Sequence, residues 1–459
     1  MSGNAQVSIL LGTSTVAVGG KREMVSWMPD KAINGHSLIV GSSGMGKTHR
    51  LRKLIDGVVT SYGARVHIID VHGDIQIPGE QRARFSESSP YGLNPLKVNP
   101  DRYSGGVNKR IRAFSSMLKR TSAALGSRQA AALIRLLEDL YRRNGFDANN
   151  WKTWDPLTNP DVRGRSLHHG VYPNISDLKK FTAFKLKELK TGAGGEANNA
   201  LNELNKVARA HRKKVLQNVG HDIDDDEGKT ADPDRVAPPK ADDENPALEK
   251  ATQKAIDTYT AYARAVRTGD ELNDMLRYTS ADTLESVLDR IDLLDKSGIF
   301  KDSPPQLDEN AAVHVYDIKA LGRDEQKMFV EILLDDIWQA AKARGQTETP
   351  RDYIVIDEAS IFLDKDADHI INILMRESRK FGIGLMFASQ SLAHFSDDVL
   401  ANVGLKIVLG VDQMYVDQMK RMLRVDPKMI ENIRPRRTAL VQCKIIGDQR
   451  NDFTEVFLA

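Results

Sequence analysis

The residues with the most definite chemistry are Gly41-Ser42-Ser43-Gly44-Met45-Gly46-Lys47-Thr48. Their spacing is G-x-x-x-x-G-K-[ST], the pattern of a loop that cradles phosphate. Glycines let successive backbone N–H groups curl around one anion. A helix opening at the loop aims its positive end at the same point. Lys47 can then reach the β- and γ-phosphates of a nucleotide, and the Thr48 hydroxyl can ligate Mg²⁺. A chance glycine-rich turn is the plain alternative, but it does not account for the apolar run Ser37-Leu38-Ile39-Val40 before the loop and the helical pattern after it.

A second group of residues gives the first one work to do. Ile354-Val355-Ile356 runs into Asp357-Glu358. At a strand end beside a phosphate loop, Asp357 can hold Mg²⁺ through water. Glu358 can act as general base on the water that attacks the γ-phosphate. Gln390 closes the apolar run at 385–389. If that strand lies between the loop strand and the acidic strand, Gln390 faces the γ-phosphate and senses it; alone it reads as a glutamine in a turn. Arg376 and Arg379 end the segment between these strands. Cations there suit a helix C-terminus. The other reading is an arginine finger completing a neighbouring subunit's site, with Arg379 the preferred residue. His72 and Asp74 stand at another strand tip; Asp74 either positions water or metal or caps a following helix.

The elements that must position these groups follow from periodicity. Short apolar runs at 7–11, 16–18 and 24–27 predict strands or a hairpin. The runs at 37–40, 65–70, 313–317, 353–356, 385–389 and 405–409 predict buried strands of a parallel sheet, with helices at 47–60, 323–344 and 368–380 between them. Closing strands are expected at 438–446 and 453–458. Between the two halves, helical spacing dominates, as at Ala130, Leu133, Ile134, Leu137, Leu140 and Tyr141. The expected class is α/β, a RecA-like P-loop core with a mainly parallel sheet interrupted by an all-α insertion. The division is a hairpin at 1–34, a first core part at 35–100, a helical insertion at 101–310 with an acidic linker at 219–248, and a second core part at 311–459.

Composition narrows the class further. The 459 residues are 41% hydrophobic and 28% charged, as in ordinary globular proteins. A net charge of +2 offers no global attraction for nucleic acid, so any such surface must be local. Cys443 is the only cysteine, which excludes an internal disulfide and a cysteine zinc site. No basic-then-apolar leader opens the chain, and no apolar run reaches the roughly 18 residues of a membrane span. A cytoplasmic protein without direct membrane insertion is expected, recruited to a membrane only through partners.

Taken together, residues 41–48, Asp70-Val71-His72-Gly73-Asp74, Leu93-Asn94-Pro95-Leu96, Ile356-Asp357-Glu358-Ala359, Arg379-Lys380-Phe381-Gly382 and Ala388-Ser389-Gln390 resemble the HerA/FtsK superfamily. Within it the chain is most similar to HerA-like proteins and to type IV secretion and conjugation ATPases, including coupling and TraG-like proteins. The resemblance implies a hexameric ring of identical subunits that hydrolyses ATP with Mg²⁺ and moves a polymer, usually DNA. It also implies the acidic pair Asp357 and Glu358, the sensor Gln390 and a trans-acting Arg379. Only 40 residues precede the loop, where HerA proteins carry a β-barrel, and the membrane helices of coupling proteins and the winged helix of FtsK motors have no counterpart. The expectation is a bare motor module, served by secretion, nuclease or relaxase partners.

Two substrates fit. The first is DNA, moved in conjugation, transfer or processing. The alternative is protein, powered or docked by a secretion-associated ATPase. Lys206, Arg209, Arg212, Lys213 and Lys214 form one basic cluster, and Lys179, Lys180, Lys185, Lys187 and Lys190 another. Either could contact phosphates or be a solvated helix face. With aromatics at 6%, no platform for stacking single-stranded bases is expected.

Overall fold

A computed structural model describes residues 7–121, 125–159, 172–191, 246–265, 280–448 and 452–459, with positions 203, 206–210, 212 and 278. Most of the expected linker, and Lys213 and Lys214 of the first basic cluster, lie outside the described residues. The chain divides into two compact units. One comprises Met1–Ala124, Asn144–Ile175 and Leu293–Ala459; the other comprises Leu125–Arg143 and Ser176–Asp292.

The first unit is built on one eleven-stranded sheet, ordered β2-β1-β11-β10-β9-β3-β8-β7-β4-β6-β5. Its strands are β1 (Ile9–Val18), β2 (Lys21–Trp27), β3 (Ser37–Val40), β4 (Arg65–Asp70), β5 (Gln81–Arg84), β6 (Val313–Asp317), β7 (Asp352–Ile356), β8 (Ile383–Ser389), β9 (Leu405–Val408), β10 (Thr438–Cys443) and β11 (Thr454–Leu458). Strands from β9 through β5 pair in parallel, and β10, β11, β1 and β2 add an antiparallel flank. Parallel strands covered on both faces need apolar residues at every position, not alternating ones. That is why β3, β7 and β8 are buried throughout.

Helix α1 (Lys47–Tyr62) covers one face. Its Leu51, Leu54, Ile55 and Val58 recur at helical spacing and pack with Ile39, Ile68, Val355, Met386 and Ile407 of five adjacent strands. Each such side chain contributes about 1.5–3 kcal/mol by leaving water. Arg50, also buried, ties α1 to β1 by donating from Nη1 to the Leu11 carbonyl at 3.3 Å. Helix Arg323–Arg344 is another heavily buried element, and Phe329 meets Phe85 at 4.4 Å between ring centroids.

Two sequence expectations change. β5, absent from the periodicity reading, pairs in parallel with β6 at the sheet edge. The segment at 368–380 is a shorter helix, Ile370–Glu377, which tightens into a 3-10 turn at Ser378–Phe381.

The second unit is helical among its described residues. Helix Ser127–Arg143 buries Leu133, Leu136, Leu137 and Leu140, and helix Ala281–Lys296 buries Leu284, Val287 and Ile291. Helix Pro246–Ala265 starts at the end of the expected linker. Lysines of the second basic cluster are paired inside this unit: Lys179 with Asp292 at 2.7 Å, Lys185 with Glu188 at 2.8 Å and Lys190 with Glu285 at 3.2 Å. Charge committed to those carboxylates is not available to an external phosphate. In the first cluster, Lys206 pairs with Glu203 at 2.7 Å, and Arg209 and Arg212 are exposed.

Candidate nucleotide-hydrolysis site

The loop at 41–48 links β3 to α1, both rigid and buried, so its backbone is held at each end. Gly41 lies against the β9 end, where an added Cβ would stand 2.8 Å from the Leu409 Cβ. Gly46 caps α1 at φ 96°, a left-handed angle that side chains rarely adopt, and no side chain caps the helix. The first N–H groups of α1 are therefore left for a ligand. Further bonds fix the loop from outside: Ser42 N–H donates to the Gly410 carbonyl at 2.9 Å, and Asp412 N–H donates to Ser42 Oγ at 2.8 Å. Ser43 and Gly44 are exposed at the tip, and Met45 and Thr48 are half-buried.

Lys47 Nζ donates back to the Gly41 and Ser42 carbonyls at 2.9 and 3.3 Å. Partial burial pulls its pKa below the usual lysine range, and Glu358 and Asp357 nearby partly restore it. The lysine, the loop and the acidic pair thus share one electrostatic neighbourhood.

Asp357 and Glu358 follow β7 directly. Asp357 is buried, and its carboxyl is pushed up to about 6, first by burial and then by Asp74, with His72 acting oppositely. Two strand tips, after β4 and β7, therefore bring four titratable side chains to one edge. No helix follows Asp74; the next regular element is β5, so the capping reading is corrected. Glu358 has φ 53°, a left-handed conformation that is strained for a residue with a Cβ. Ser360 Oγ donates to Glu358 Oε1 at 3.1 Å, and Gln390 Nε2 donates to Glu358 Oε2 at 3.3 Å.

That last bond depends on strand order. β8 pairs with β3 on one side and β7 on the other, so its tip stands between the loop and the acidic pair. The residues at 41–48, Glu358 and Gln390, far apart in sequence, are assembled at the C-terminal edge of the sheet, where open α/β sheets bind ligands. Arg379 is elsewhere. It is exposed in the turn preceding β8, so the length of that strand, about 20 Å at 3.3 Å per residue, separates it from Gln390. Arg376 Nη2 is tied to the Ala367 carbonyl at 2.7 Å, whereas the Arg379 side chain has no hydrogen bond or ion pair among the described residues.

Arg436 was not apparent from the sequence. It too has a left-handed backbone, at φ 61°, and its Nε donates to the Gly44 carbonyl at 3.1 Å. Its Cγ lies 3.8 Å from where a Cβ on Gly46 would sit. The run Arg434-Pro435-Arg436-Arg437 advertises charge, but only the tertiary fold brings one of its members over the phosphate loop.

The donor set fits a nucleoside triphosphate with Mg²⁺. The loop offers uncapped N–H groups and Lys47 for phosphates, while Thr48 and Asp357 offer oxygen ligands. Among the described residues no group of three His, Cys, Asp or Glu side chains is arranged to hold a metal. Mg²⁺ characteristically binds through one or two carboxylates plus substrate phosphates and water, not an all-protein cage.

Comparison with known proteins agrees with this geometry. Residues 23–109 match the family model for the central domain of helicase HerA. The DNA double-strand break repair helicase HerA of Pyrococcus furiosus is 35% identical over 81 residues, spanning 16% of this chain and 15% of that protein. VirB4 of Thermoanaerobacter pseudethanolicus has a similar fold, with a TM-score of 0.58 at 14% identity over 99% of this chain and 97% of its own. The plasmid coupling protein TrwB, in complex with the non-hydrolysable GTP analogue GDPNP, gives a TM-score of 0.50 at 14% identity over 100% of this chain and 96% of its own. The segment around the phosphate loop is thus similar in sequence to the HerA central domain, and the chain shares the α/β fold of VirB4 and TrwB.

Proposed function

We propose that the chain is the ATP-hydrolysing subunit of a ring-shaped motor, a hexamer of identical chains, that translocates DNA. The observation that carries hydrolysis is the bond from Gln390 to Glu358 at the mouth of the Lys47 loop. It joins a general base to an amide that can orient water, beside a cation that can offset phosphate charge. Arg379 supports the ring. It is exposed, without a side-chain partner among the described residues and distant from its own chain's loop, which suits a role in a neighbour's site.

ATP would supply the phosphoanhydride bond, and Mg²⁺ the charge shielding that phosphoryl transfer requires. Thr48 and Asp357 would hold the metal, and metal binding would draw Asp357 into its ionised form. Lys47, hydrogen-bonded to two loop carbonyls, would exchange them for phosphate oxygens. Glu358 would take the proton from the attacking water, with Gln390 and Ser360 holding its carboxylate in place. Arg379 of one subunit would stabilise the developing charge in the next.

DNA as the substrate draws support from the repair helicase and the plasmid coupling protein that the chain resembles. The test is ATPase rate against added double-stranded DNA, with particle mass measured alongside. Strong stimulation together with a nucleotide- or DNA-dependent hexamer supports the proposal. A flat response to DNA, with stimulation by an unfolded protein substrate, replaces it with the secretion reading.

A further inference from the structure

We propose that a second anion site, separate from the phosphate loop, binds a phosphate group in a recess of about 550 Å³ lined by Lys406, Arg421, Arg424 and Lys444. The recess lies in the first unit, beside β9 and β10 and the helices Asp397–Ala401 and Gln413–Leu423. Lys406 stands opposite Leu38 in the β3–β9 register, three residues before Gly41, so it is about 10 Å along the sheet from the start of the loop.

Four cations line the recess with no ion-paired counter-charge among the described residues. Lys406 is in the interior of the sheet and is 5% exposed. Its Nζ donates to Gln442 Oε1 at 2.9 Å and to the Val403 carbonyl at 3.4 Å, both neutral acceptors. An ammonium has three protons to donate, so one remains. Lys444, which donates to the Ala401 carbonyl at 2.8 Å, adds a second positive charge nearby. Burial first, and then Lys444, depress the Lys406 ammonium to about 7. Asp397 and Asp452 also line the recess, but both are exposed, and no ion pair joins either to these four cations among the described residues.

Packing alone does not call for this arrangement. β9 is otherwise apolar, and a buried, unpaired charge is less stable than a hydrophobic side chain of similar volume. Arg424 adds a second cost, because it ends its helix at φ 56°, where glycine is favoured. Two strained or desolvated cations and two others at one recess are explained together by an anion of more than one charge. Arginine forks and ammonium groups match a tetrahedral phosphate. That group could arrive as free phosphate or as the phosphodiester of a nucleic acid. Bound anion favours protonated Lys406, so affinity is highest below pH 7 and falls as pH rises through it.

The test uses the full chain carrying Lys47→Ala, which weakens the phosphate loop as a competing site. Inorganic sulfate is the probe, because its charge is constant across the pH range. At fixed ionic strength, sulfate should raise the melting temperature saturably at pH 6.5, with affinity about tenfold weaker at pH 8.5. Lys406→Met should melt at least as high without sulfate and lose the saturable rise. Arg424→Gly, which suits its backbone angle, should fold and bind sulfate about tenfold more weakly. Competition by a short DNA duplex assigns the phosphodiester; competition by inorganic phosphate alone assigns the free anion. The proposal is overturned by no saturable rise in the parent, by the same rise in both variants, or by competition from neither ligand.

Discussion

Gln390 and Glu358 touch: the amide Nε2 donates to the carboxylate Oε2 at 3.3 Å across the tips of β8 and β7. The two residues are therefore a coupled pair. Each alone should lower turnover, and Gln390→Ala in a Glu358→Gln background should cost much less than in the wild type. Residues in one hydrogen-bonded network are non-additive by about 0.5–3 kcal/mol. Steady-state ATPase rates of the double-mutant cycle check this, and full additivity would remove Gln390 from the mechanism.

Glu358→Gln should keep ATP binding and lose about 10²–10⁴-fold in turnover, the usual contribution of a positioned general base. The substituted amide preserves volume, so the melting temperature should change little. Equilibrium binding of a fluorescent ATP analogue, set beside phosphate release, separates the two effects.

Arg379→Ala should abolish turnover without weakening ATP binding. Mixed with Lys47→Ala protein, it should recover part of the activity. An Arg379→Ala loop can be completed by the arginine of a Lys47→Ala neighbour. Absence of rescue at every mixing ratio would place Arg379 outside the reaction.

Asp357 links the site to pH. Its carboxyl is raised to about 6 from an ordinary value near 3.8. Between those values the folded chain binds more protons than the unfolded chain, so stability falls as pH rises through this window. The penalty is complete above pH 6. Asp357→Asn should therefore stabilise the nucleotide-free protein at pH 7 by about 3 kcal/mol, with the gain vanishing toward pH 4. Denaturant midpoints at the two pH values measure it.

Arg436→Gly should relieve a left-handed backbone worth about 1 kcal/mol and leave the protein as stable or more so. It should also remove the bond to the Gly44 carbonyl and raise the KM for ATP. A higher melting temperature with an unchanged KM would make Arg436 a turn residue alone.

What the sequence could show depended on whether a feature was local. Residues 41–48 carry their own turn chemistry, and the apolar runs of β3, β7 and β8 announce buried parallel strands. With those in place, Glu358 and Gln390 could be expected at one edge. β5 could not: Gln81-Arg82-Ala83-Arg84 has no apolar run, and its strand form comes from pairing with β6. Nor could Arg436, which meets Gly44 across 392 residues of chain. Lys406 read as one polar residue in an apolar strand until folding placed Lys444, Arg421 and Arg424 around the same recess.

β3 has consequences for how the protein comes into being. Its partners are β8 and β9, made only after residue 380. During synthesis the phosphate loop therefore leaves the ribosome early but has no strand on either side until most of the chain has followed. Long-range parallel pairing of this kind closes late. A nascent or truncated chain has the loop's sequence without its shape, and should not bind or hydrolyse nucleotide until β8 and β9 have paired.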